Sequence, residues 1–80
     1  MKKSFLELLE AERQAVFDVK YFQDSAIDFL NRSKEVDSVE VKESYERVAF
    51  KYEKELGEAE ENLLQIRKEM KQYLSFLETL

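Results

Sequence analysis

Eleven residues, Tyr45, Ala49, Tyr52, Leu56, Ala59, Leu63, Ile66, Met70, Tyr73, Leu77 and Leu80, follow one another at strictly alternating steps of four and three. A 3.5-residue apolar repeat held over five heptads keeps one side of a helix turned towards a neighbouring helix, the pattern of a left-handed coiled coil. It leaves the second half of the chain little else to become. The single glycine, Gly57, lies within this run and does not shift its phase. A glycine inside a helix costs about 1 kcal/mol relative to alanine, and "ELGEAEEN" offers no Ser, Thr or Asp to cap a new helix. One long helix is therefore expected, with a break at Gly57 into a three-helix bundle as the alternative.

The chain has no proline, and one glycine cannot supply the positive-φ turns that a set of paired strands requires. Glu, Lys, Leu and Ala favour helix throughout. The expected class is all-α. The break between helices falls in "SKEVDSVEVKES", Ser33 to Ser44. Asp37 reads as a helix N-cap, with Glu40 three residues on completing a capping box. Val36 and Val41 then occupy the two positions of a hydrophobic staple. Arg32 and Lys34 stand where the negative pole of a preceding helix would favour them. Ser4 and Glu7 form a second capping box at the start of the chain. These signals predict a single domain, 1–80, built as an antiparallel two-helix hairpin: helix 1 over about 5–33, a turn at 34–37, and helix 2 over about 38–79.

On helix 1, Phe5, Leu8, Leu9, Ala15, Val16, Val19, Phe22, Ala26, Ile27, Phe29 and Leu30 collect on one side. That stripe is broad enough to pack against more than one neighbour. Glu12 and Gln23 interrupt it, and polar groups in a helical seam fix register or partner choice. Glu12 is expected to pair across the hairpin with Lys54 or Arg67, or to meet Tyr52.

At about 1.5 Å per residue, helix 1 reaches roughly 43 Å and helix 2 roughly 64 Å. Folded back, the first covers the second only to about residue 67. Beyond lie Met70, Tyr73, Leu74, Phe76, Leu77 and Leu80, an end too apolar to be left in water. A second copy would cover it, giving a homodimeric four-helix bundle, or coiled coil, of two hairpins; a different protein is the other candidate. Two further groups suggest contacts. Phe17 and Tyr21 lie one turn apart, away from the main stripe and on the side where Leu6 points. Phe50, Gly57 and Leu64 form a row at steps of seven outside the heptad seam, where a glycine lets another helix approach closely.

Composition narrows the function. Thirteen basic against eighteen acidic residues leave a net charge of −5, which disfavours a nucleic-acid backbone or an anionic membrane as a direct partner. Without His or Cys, the usual general base and the usual strong nucleophile are both missing. The Glu-x-x-His motif of di-metal bundles cannot occur. No enzymatic activity, cofactor or metal is expected. "MKKSFLELLEAE" begins like a signal peptide, but Glu7 and Glu10 interrupt the apolar segment. No stretch approaches the roughly 18 apolar residues of a membrane span, so a cytoplasmic location is expected.

The segment "EAEENLLQI", together with the length and acidity of the chain, resembles the small subunit of exodeoxyribonuclease VII. The spacing from the second N-cap to that segment departs from the family, and its glycine before the second helix is missing. Two functional expectations follow from the residues themselves. One is a non-enzymatic protein–protein interaction module (adaptor, small chaperone or small subunit) acting as a dimeric helical hairpin. The alternative is an acidic regulator or inhibitor whose "EKELGEAEEN" face engages a basic surface of another protein, such as a nucleic-acid-binding site.

Overall fold

The computed structural model describes residues 3–79. Two helices, α1 (Phe5–Glu35) and α2 (Val39–Glu78), pack side by side as an antiparallel hairpin. No strand occurs among the described residues. The α2 helix runs unbroken through Gly57, which excludes the three-helix alternative. Leu80, the last residue of the expected seam, lies outside the described residues.

Both helix starts are capped by serine. Ser4 Oγ accepts from the Glu7 amide at 3.2 Å, as the first capping box requires. At α2 the cap is Ser38, not Asp37: Ser38 Oγ accepts from the Val41 amide at 3.5 Å. The reason lies in α1, which continues to Glu35 and leaves only Val36, Asp37 and Ser38 to connect the helices. Val36 is the half-buried C-cap of α1, whereas Val41 is exposed, so no staple forms around Asp37. Glu40 still falls in the first turn of α2, where the positive helix end favours it.

Helix α2 presents its seam as expected: Tyr45, Ala49, Tyr52, Leu56, Ala59, Leu63, Ile66, Met70 and Tyr73 are all buried or half-buried. Helix α1 answers with an equally regular line, Phe5, Leu8, Glu12, Ala15, Val19, Phe22, Ala26, Phe29, Ser33 and Val36, again at alternating steps of three and four. Two of these positions are polar, which hides the repeat in the sequence. Ser33 is buried and donates from Oγ to the Leu30 carbonyl at 2.6 Å, so its hydroxyl is satisfied within the helix. The centre of the core is Leu8, Ala15, Leu63 and Ile66, with Ala11, Val19, Met70 and Tyr73 packed around it. Among the described residues, Leu8 is the one large side chain that is fully buried. Alanines at 15, 26 and 49, all buried, leave room for the two backbones to approach.

The register differs from expectation at the open end. Tyr73 stacks at a tilt against Phe5, with ring centroids 5.9 Å apart, and its hydroxyl donates to the Lys3 carbonyl. Cover of α2 by α1 therefore extends to Tyr73 and not to residue 67. The first helix is two residues longer than expected, the second starts one later, and the backbone ahead of Ser4 adds a further contact. Met70 and Tyr73 belong to the hairpin's own core; the bare end begins at Leu74.

The hairpin is long and thin, 63 × 18 × 14 Å, with a radius of gyration of 18.0 Å. A compact chain of this length would have about 12 Å. Its accessible surface is 6656 Å², against about 5,100 Å² for a compact monomer of 9.6 kDa. Roughly 1,500 Å² of surface is thus exposed beyond what a globular chain of this mass leaves in water. The capping geometry makes one direct forecast. Ser38→Ala should destabilise the hairpin by about 0.5–2 kcal/mol, and Asp37→Ala by clearly less, in urea melts followed by far-UV circular dichroism. Equal losses at both positions would return the cap to Asp37.

Candidate interaction surface

With both seams turned inward, most of the remaining apolar residues are on the outside. At the free end of α2, Leu74, Phe76 and Leu77 are exposed. A groove of about 570 Å³ lies beside them, bordered by Leu8, Asn62, Ile66, Glu69, Tyr73 and Phe76. On the outer side of α2, Phe50 and Leu64 are 70% and 67% exposed, among the barest large apolar side chains of the described residues. Gly57 stands between them, and a Cβ built on it would meet nothing within 4 Å. The hairpin itself has no use for a glycine there.

On α1, Leu6 and Phe17 are exposed. Tyr21 is different. It packs edge-on against Phe22 and Tyr52, with centroids at 5.4 and 6.4 Å, and so belongs to an aromatic cluster near the turn. That cluster continues through Phe22 to Tyr52 and Phe29, the last two stacked at 5.7 Å, and on to Tyr45. Arg32 lies over the Phe29 ring at 5.2 Å while pairing with Asp28 at 3.1 Å. In the sequence these rings are divided between the two helices. The register set by the turn brings them together.

The two polar residues assigned to the α1 stripe separate. Glu12 occupies the seam and its carboxylate receives the Arg67 guanidinium at 3.1 Å, one of the three partners expected for it. Arg67 is half-exposed, so the pair is screened and contributes at most about 1 kcal/mol. Gln23 is exposed. It shares a row at steps of seven with Leu9, Val16 and Leu30, and of these Leu9 and Val16 are exposed as well. The broad stripe of α1 therefore divides into an inward seam and an outward flank, with Ile27 on the exposed side.

Compared with protein-family models, with curated proteins and with solved structures, the chain matches none of them. The geometry of its own surface is what speaks to function. Among the described residues, no group of acidic side chains is placed to hold a metal ion, and no helix is long and apolar enough to cross a membrane. Among the described residues, one ionisable group is displaced from its ordinary range. The neighbouring Tyr21 phenol, then partial burial, then a hydrogen bond with Tyr21 and the Glu55 charge hold the Tyr52 phenol above its ordinary value.

Two outcomes follow. Glu12→Leu should fold with an equal or higher melting temperature, because an apolar side chain suits a seam position and the exposed ion pair lost is weak; a large drop in helicity would show that the carboxylate has an essential role. A phenol whose pKa is raised by folding contributes fully below the unfolded value near pH 10 and loses that contribution as pH rises through the folded value. Stability should accordingly fall above pH 10, and Tyr52→Phe should lessen that alkaline loss in urea midpoints compared at pH 8 and pH 11. An unchanged alkaline loss would contradict the assignment.

Proposed function

We propose that this chain is a non-enzymatic protein–protein interaction module that works as a homodimer of helical hairpins, an adaptor, small chaperone or small subunit that offers helix faces to another protein. The observation that carries this reading is the surplus of surface, roughly 1,500 Å² per chain beyond a compact monomer, and its apolar character at Leu74, Phe76 and Leu77. A stable pair of proteins buries about 800 Å² on each partner, so the surplus is ample for a second copy and leaves area for another protein. The absence of His and Cys from the chain supports a role in binding and not in acid–base or nucleophilic chemistry.

A second reading rests on the exposed carboxylates Glu53, Glu58, Glu60 and Glu61 of α2, which would engage a basic surface of another protein. Salt discriminates between them. Association through apolar side chains persists at raised ionic strength, whereas association through this acidic face weakens as the charges are screened.

Light scattering coupled to size exclusion should give the intact protein twice its 9.6 kDa chain mass. A chain ending at Tyr73 keeps the whole observed seam and should retain its helicity, yet dissociate about tenfold more readily, the equivalent of 1.4 kcal/mol of lost apolar contact. An intact protein that stays monomeric at high micromolar concentration would defeat the homodimer reading.

A further inference from the structure

The row on the outer side of α2 has a symmetry of its own. At steps of seven it reads Glu43, Phe50, Gly57, Leu64 and Lys71. All five are exposed. Seven residues to either side of Gly57 stands a large apolar side chain, and fourteen residues to either side stands a charge, acidic on one side and basic on the other. We propose that this row is the homodimer face: the α2 helices of two copies cross antiparallel about a two-fold axis at Gly57, the inference resting on the homodimer reading above.

Three observations support this occupant and this orientation. First, an antiparallel two-fold places Phe50 of each copy against Leu64 of the other, and Glu43 against Lys71. A parallel pairing would set Glu43 on Glu43 and Lys71 on Lys71, which like-charge repulsion disfavours. Second, Gly57 costs the long helix about 1 kcal/mol of helix propensity, and nothing in its own chain occupies the space a Cβ would take. At the centre of a helix crossing that missing Cβ lets the two backbones close together. Third, a shallow groove of about 550 Å³ opens beside Leu64, bordered by Glu61, Arg67, Lys68 and Lys71, where Phe50 of the second copy would lodge. The same register brings Val39, eighteen residues before Gly57 and 67% exposed, level with Leu74, seventeen residues after it, on the second copy. Part of the bare tip is thereby covered by the other copy's turn.

Because the chain contains no cysteine, a single introduced thiol reports on one position. Gly57→Cys fits the open space on its own chain and lies on the two-fold axis; under mild oxidation it should form a cross-linked dimer at least about tenfold faster than Phe50→Cys or Leu64→Cys alone. In those two variants the symmetry mates lie about 21 Å apart, far beyond the Cα separation of 4.4–6.8 Å that a disulfide spans. Mixing Phe50→Cys with Leu64→Cys should restore cross-linking. Independently, Glu43→Lys should weaken dimerisation several-fold, and adding Lys71→Glu should recover it, with helicity unchanged in both. Self-cross-linking at all three positions would mean parallel helices and overturn the proposal. No cross-linking by a protein of double mass would place the dimer on another face and overturn it too, leaving the homodimer reading intact. A monomeric intact protein would instead overturn that reading, and this face with it.

Discussion

Two helices share one line of contact, and every other property of this protein descends from that. A helix in a hairpin turns a single strip towards its neighbour; with no third element, the rest of its circumference faces outward. The strip here is narrow and regular on both sides, alternating by three and four from Phe5 to Val36 and from Tyr45 to Tyr73. Small residues bring the helices together, large ones fill the gaps between them, and among the described residues the only large side chain fully shut away from water is Leu8. A chain so built is long instead of round, and its surface outgrows its mass.

The outward surface is therefore where the chain's remaining apolar residues have gone. They are not scattered evenly. Leu74, Phe76 and Leu77 gather at the tip of α2, Leu9 and Val16 lie on one flank of α1, and Phe50 and Leu64 bracket a glycine that its own hairpin does not require. Isolated exposed apolar side chains are common; rows of them at the spacing of helical repeats are what a packed helix face looks like before its neighbour arrives.

How much of this was legible in the sequence depended on whether a position's residue type matched its environment. Helix α2 was readable because nearly every seam position carries an apolar side chain. Helix α1 was readable as a helix but its seam was not, because Glu12 and Ser33 occupy seam positions while Leu9, Val16 and Ile27 sit just outside the seam; hydrophobicity alone merges such neighbours into one broad stripe. The turn was expected at 34–37 and lies at 36–38; Asp37 and Ser38 are both competent caps, and the choice between them depended on how far α1 ran. Small errors at helix ends then accumulated along the hairpin, which is why cover reaches Tyr73 and the exposed tip is shorter than expected. The row through Gly57 was visible from its spacing, whereas Tyr21 gave no sequence signal of its contact with Tyr52.

The hairpin leaves Leu74, Phe76 and Leu77 exposed, and the homodimer proposed above would shelter part of that surface. Folding that is coupled to association depends on concentration by mass action. The most direct measurement is the melting temperature of the unmodified protein followed over about a hundredfold range of concentration. A midpoint that climbs by several degrees across that range is the result this account predicts. A midpoint that does not move with concentration, from a protein of single-chain mass, would contradict it.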